Sequence, residues 1–224
     1  MCIRSMGLAT CVLFCLAQPA LGWSIETVDP GPNVGPYASI KVAPEGQIHI
    51  SYMTGWADLR YACYDGSQWT VETVDEPSLV GQYSTLDLDA AGTPHIVYVY
   101  YSGHRIRYAH FDGTSWQTTL VDAPGDVGRG SSIAVDSMGR PHISYYDETN
   151  SALKYARYDD GAAWTISVID RAPLTRDFRL PAISLDIANN PHVTYVLYYN
   201  MEAITPDLKY ARRDPGGWHI EYVD

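Results

Sequence analysis

An all-β fold assembled from repeated four-stranded antiparallel units is what this sequence predicts, and three observations predict it. The first is composition. The 224 residues include three lysines (Lys41, Lys154, Lys209) against 18 tyrosines, 18 glycines and 14 prolines, a balance that favours strands and turns over helices. The second is alternation of β-branched or aromatic residues with polar ones in short runs, without a 3.6-residue period. The third is internal repetition, the feature that most constrains a fold when present. Segments QIHISY (47–52), TPHIVY (93–98), RPHISY (140–145) and NPHVTY (190–195) recur, with His49, His95, His142 and His192 spaced 46, 47 and 50 apart.

Each repeat supplies four strands in the same order. In the third they are SSIAVD (131–136), PHISYYD (141–147), LKYARYD (153–159) and WTISVID (164–170). Four antiparallel strands at a period in the forties is the arithmetic of a β-propeller blade. A β-sandwich would not require the same four strands each time. Blades are therefore expected at about 37–75, 83–122, 131–170 and 181–224, with an extra strand at 23–29 carrying a fifth copy of the Trp segment, WSIETVD. Five Trp segments against four sets of the other strands imply an incomplete ring or a fragment, with further blades after Asp224 and exposed blade faces that self-associate.

Residues 1–22 read as a signal peptide. Arg4 precedes an apolar run, Gly7 to Ala17, too short for the roughly 20 residues of a bilayer span, and Ala20 and Gly22 flank a cut before Trp23. Secretion without a membrane span is expected. Cleavage near Gly22 removes Cys2, Cys11 and Cys15, leaving Cys63 alone and no internal disulfide. It also leaves 14 basic against 26 acidic residues, a net charge of −12 in place of −11. That balance excludes a nucleic-acid partner, which needs a basic footprint.

Between the third and fourth strands stand the turns YDGSQW (64–69), FDGTSW (111–116) and DDGAAW (159–164). They resemble the Asp boxes of sialidase-type (BNR-repeat) propellers, which occupy the same place in a blade. The resemblance covers the chain from Trp23 onward and implies the propeller fold. The usual box separates Asp and Gly by one residue and carries an earlier Ser. The fourth copy, Asp214-Pro215-Gly216-Gly217-Trp218, is looser still, so the resemblance extends to fold and not to catalysis.

Equivalent residues of different blades lie around a ring and do not converge on one ion, so the repeated histidines are read as structural, with Asp89, Asp136 and Asp186 as partners and Ala43 in the first repeat. Function is sought where repeats differ. The spacing from turn Asp to His is always six, whereas His to the following Tyr is 12, 13, 13 and then 18 residues. The face built by the strand 2–3 loops and the blade connections therefore varies, and loops on a rigid scaffold concentrate binding residues. Its candidates are Trp56, Tyr100, Tyr101, His104, Arg105, Tyr146, Asp147, Glu148, Tyr199 and Asn200, joined by Arg129 and Arg179 from the connections, where Tyr37 and Tyr83 also lie. Arg129 and Arg179 share one slot, thirteen residues before His142 and His192. There they either clamp an acidic sugar or peptide carboxylate or pair with Asp126 or Asp177.

Aromatic faces beside carboxylates and amides suit sugar rings. The leading expectation is a secreted binding module for a glycan or an extracellular protein ligand. The alternatives are a protein-interaction scaffold, or a sialidase-like glycoside hydrolase or polysaccharide lyase. Phosphate-loop, dinucleotide, zinc-cluster and Gly-x-Ser-x-Gly patterns are absent from the sequence, so neither cofactor nor metal is expected.

Overall fold

The computed structural model describes residues 24–55, 57–76, 79–159, 163–172, 176–199 and 206–223, with backbone alone for 176–180 and 199. The first blade comprises β1 (Ser39–Val42), β2 (Ile48–Thr54), β3 (Asp58–Tyr64) and β4 (Trp69–Asp75). The second has β5 (Val80–Leu88), β6 (Pro94–Tyr100), β7 (Arg105–Phe111) and β8 (Trp116–Asp122), and the third β9 (Val127–Val135), β10 (Pro141–Asp147), β11 (Ala152–Asp159) and β12 (Ala163–Arg171). The fourth has β13 (Arg176–Leu185), β14 (Pro191–Tyr199), β15 (Asp207–Asp214) and β16 (Gly217–Tyr222). Each blade is one antiparallel sheet whose strands pair in chain order. The fold is the expected four-bladed β arrangement.

Two boundaries differ from expectation. The inner strands of blades two to four begin earlier, at Val80, Val127 and Arg176, because pairing resumes beyond a bulge near each strand's start. The segment 24–29 is not a strand, and none of the described strands pairs with it. It nevertheless lies on blade one as an outer strand would, for Asp29 accepts a 2.7 Å bond from the Tyr52 hydroxyl and Glu26 a 3.0 Å bond from the Trp69 indole.

The repeated residues explain how blades stack. A hydrophobic cluster fills each seam between neighbours. Leu59, Val80 and Ile96 belong to that of blades one and two, Ile106, Val127 and Ile143 to the next, and Leu153, Val193 and Leu197 to the third. Full burial of such a side chain stabilises by about 1.5–3 kcal/mol. Onto each cluster the following blade lays its Trp, edge-on against the preceding blade's Tyr: Trp116 on Tyr61 at 5.0 Å, Trp164 on Tyr108 at 5.3 Å and Trp218 on Tyr155 at 5.3 Å.

The Asp ending each Trp strand crosses the same seam. Asp75 takes bonds from Tyr98 and Arg107, both at 2.6 Å. Asp122 takes them from Tyr145 (2.8 Å) and Lys154 (2.9 Å), and Asp170 from Tyr195 (2.8 Å) and Lys209 (2.9 Å). These tyrosines are almost wholly buried, and an unpaired hydroxyl there would be costly.

The histidines are internal struts. Each accepts at Nδ1 from a strand-three Tyr hydroxyl at 2.5–2.6 Å. Burial pushes the pKa of Tyr61, Tyr108 and Tyr155 up, so those hydroxyls stay protonated and donate. In blades two to four the Nε2 atoms face Asp89, Asp136 and Asp186 at 3.6, 3.3 and 3.5 Å. In blade one, with Ala43 at that position, Nε2 of His49 has no hydrogen-bond partner among the described residues.

Candidate functional site

The innermost strands are entered through a short motif: Val34-Gly35-Pro36-Tyr37, Val80-Gly81-Gln82-Tyr83 and Val127-Gly128-Arg129-Gly130. Its first glycine has φ of 104°, 94° and 105° in the three copies, and its last residue, Tyr37, Tyr83 or Gly130, is also left-handed at 56°, 52° and 62°. Gly128 is required twice over, since a Cβ there would meet Ile106 Cβ at 2.8 Å and Val99 Cγ2 at 2.9 Å. A tyrosine with positive φ is a genuine outlier, and strain of this kind costs on the order of 1–3 kcal/mol. The next blade holds it in place: the Ser84 hydroxyl donates to the Tyr37 carbonyl at 2.7 Å, and Ser131 to that of Tyr83 at 3.1 Å. The two rings meet at 5.0 Å, inclined by 48°. Burial raises the pKa of the Tyr37 hydroxyl and Tyr83 adds to the effect, so Tyr37 presents a neutral face and an O–H group.

Beside them a charged network crosses from blade two to blade three. Arg129 donates from Nη2 to Asp126 at 3.2 Å and from Nε to Glu148 at 2.8 Å. Burial works against its charge, but Glu148, Asp126 and Tyr83 more than offset that and raise its pKa. His104, left-handed at φ 48°, sets Nδ1 3.3 Å from the other Asp126 oxygen, and its ring meets Tyr101 at 5.7 Å. Asp126 is positioned by the Thr149 hydroxyl, which accepts its N–H at 2.8 Å. Guanidinium and carboxylates are thus presented side by side, donors next to acceptors, at a partly exposed rim.

The sequence-derived candidates divide. His104, Arg129 and Glu148 come together with Tyr101 on this rim. Tyr100 is half-buried and Arg105 exposed, paired in register across the 2–3 loop. Tyr146 and Asp147 are buried, at 5% and 0% exposure, and are corrected here from ligand candidates to core. Strand β10 runs on to Asp147 because Lys154 reaches both it (2.6 Å) and Asp122 (2.9 Å), neutralising the interior charges. Arg179, on β13, pairs in register with Val196 of β14, and Tyr199 ends β14 opposite Arg176; their side chains, with Trp56 and Asn200, lie outside the described residues. Asp126 escaped selection as a ligand contact, although its place before Arg129 offered it as a pairing carboxylate. The left-handed tyrosines carry no sequence signal of their strain.

Cavities occur elsewhere too. One of about 680 Å³ runs along the outer strands between blades one and two, lined by Glu72, Asp75, Phe111 and Trp116 among others. Another, of about 350 Å³, lies between blades three and four at the face of the tight turns. No group of three or more His, Cys, Asp or Glu able to hold a metal occurs among the described residues. No helix among them is long and apolar enough to cross a membrane.

No family model matches this sequence, and no curated protein does. Solved structures do. An α-L-arabinanase of Penicillium chrysogenum complexed with arabinobiose superposes with a TM-score of 0.61 at 12% identity, over 85% of this chain and 67% of that one. The SapL1 lectin in complex with α-methyl fucoside gives 0.58 at 17% identity, over 84% and 63%. The Aleuria aurantia lectin in complex with α-methyl-L-fucoside gives 0.53 at 17%, over 84% and 60%. The chain spans less than two thirds of either lectin. These likenesses establish the propeller fold, and the sialidase type is not singled out among them.

Proposed function

We propose that this is a secreted carbohydrate-binding propeller module, reading its ligand at the rim formed by the blade connections and 2–3 loops. The observation that carries the reading is the rim itself. Arg129 is fixed between Asp126 and Glu148 beside the Tyr37–Tyr83 pair. Fixed donors and acceptors match sugar hydroxyls, and neutral aromatic faces match the C–H face of a pyranose. Solved neighbours that bear fucosides or arabinobiose support the reading by fold. Kinship with sialidase-type propellers belongs to the same proposal and rests on the turns at 64–69, 111–116 and 159–164. The ion pairs of Arg129 favour hydroxyl recognition over an acid clamp at this rim, since its charge is already answered twice.

A glycan array probed with the chain from Trp23 onward, followed by calorimetry on any sugar retained, tests the proposal. Binding that falls at least tenfold in Arg129→Ala is the expected result. Absence of any retained glycan overturns it, and sugar turnover would replace it with the hydrolase or lyase reading.

A further inference from the structure

The repeat itself marks a second site, on the opposite face. Two adjacent positions on the third strand of each blade project at the tight-turn face, one to either side of the sheet. One is Cys63, His110, Arg157 or Arg212, opposite the blade's histidine in register. The other, one residue on, is Tyr64, Phe111, Tyr158 or Arg213. In the first three blades this second residue is aromatic and packs on its own blade's Trp, at 5.3, 5.7 and 5.2 Å. Blade four departs from that pattern. Its Arg213 turns the guanidinium over the Tyr155 ring of blade three, 5.7 Å from the centroid.

The seams therefore differ in charge. Between blades one and two the pair is Cys63 with Phe111, and between two and three it is His110 with Tyr158. Between three and four it is Arg157 with Arg213, and both line the cavity of about 350 Å³. Arg157 spends Nε and Nη2 on Asp159, each at 2.7 Å. Arg213 makes no ion pair among the described residues. The Asp214 carboxylate at the cavity edge is engaged by His219 at 2.9 Å and by the Gly216 N–H at 2.7 Å. Asn189 donates to the Ser137 hydroxyl of blade three's turn and Asn190 to the Asp186 carboxylate of its own turn, both at 2.9 Å. Two guanidiniums face one small cavity in a chain of net charge −11, an arrangement that an oxyanion between them would satisfy.

We infer that this seam is a binding site for a small carboxylate-bearing ligand of about monosaccharide size, a sugar acid. The volume lies at the lower end of ligand cavities. The neighbouring carboxylates of Asp159 and Asp214 favour a single charge over the double charge of a phosphate. The site is separate from the rim around Arg129 and does not depend on it.

The test titrates the chain with sodium glucuronate, glucose, acetate and inorganic phosphate, reading Arg213 and Trp218 resonances by NMR. Two variants accompany it: Arg213→Tyr, which restores the repeat's own aromatic and so leaves the fold intact, and Arg129→Ala. Glucuronate is expected to bind at least tenfold more tightly than glucose, acetate or phosphate, with that preference lost in Arg213→Tyr, kept in Arg129→Ala and weakened by added salt. Equal binding of glucuronate and glucose overturns the proposal. So does acetate matching glucuronate, a preference for phosphate, or full binding retained by Arg213→Tyr at unchanged melting temperature.

Discussion

Tyr83 sits in a backbone conformation that a glycine would hold without strain, and Gly130 holds it one blade on. If folding alone had set these positions, glycine would serve better. Tyr83→Gly relieves the left-handed strain, about 1–2 kcal/mol, while losing ring contacts of similar worth. Its stability should therefore stay within about 1 kcal/mol of the parent, while sugar affinity at the rim falls at least tenfold. Denaturant melts alongside calorimetry check both; a large loss of stability would make the ring a packing element instead. Arg129 could be picked from sequence because its slot is shared with Arg179. The strain at Tyr37 and Tyr83 could not, since glycine is the usual mark of positive φ and tyrosine carries none. Asp147 misled for the opposite reason: as the last residue of the strand PHISYYD it was expected to face the variable loops, but a lysine from the adjacent strand draws it inside.

Strands and turns obey sharper rules. Gly66 and Gly128 both have positive φ, yet a Cβ on Gly66 meets nothing within 4 Å whereas one on Gly128 collides with Ile106 and Val99. Gly128→Ala should cost about 1–3 kcal/mol more than Gly66→Ala by urea denaturation. Lys154 is shared by Asp122 and Asp147, all three nearly or wholly buried. Lys154→Met leaves both carboxylates without their cation and should cost about 3–5 kcal/mol, whereas an unchanged melting curve would mean that the ion pairs add no net stability. The strand pattern itself was legible, because period-two alternation and Asp-Gly turns report local geometry. The 24–29 segment was not, because its residues match an outer strand while the ladder that makes a strand depends on a neighbour.

For the molecule as a whole, titration sets the acid limit. Burial depresses the pKa of His49, His95, His110 and His142 below the usual value. In the unfolded chain these groups take up protons near pH 6.5. The unfolded state then binds more protons than the folded one, so stability falls as pH drops through about 6.5. A second loss follows below about pH 4. There the carboxylates of Asp29, held down by the Gly31 N–H, and of Asp136, held down against burial by Arg140 and Met138, must protonate. Melting temperatures from pH 8 to pH 3 should descend in those two steps; a rise between pH 7 and pH 5 would show that relief of the net negative charge outweighs the histidines. At the two ends of the blade series, Ile40, Val42 and Tyr222 are about 60% exposed, so the chain is expected to associate in light scattering. A monodisperse monomer would count against this.

The Asp that ends one blade and the Tyr and Lys or Arg that receive it belong to successive repeats, so the cohesive unit straddles two blades. Such an architecture behaves as a nearest-neighbour chain, in which stability resides in couplings between modules as much as in modules. Excision is then a matter of phase. Removing residues 76–122, one whole period, brings Asp75 to Tyr145 and Lys154 in place of Asp122, and regenerates a native-like junction. A cut of about half that length, 76–100, removes β5 and β6 and leaves β7 without its sheet partner. The first deletion should yield a shortened protein that still melts cooperatively, and the second should not. Circular dichroism on the pair would measure how interchangeable the blades are.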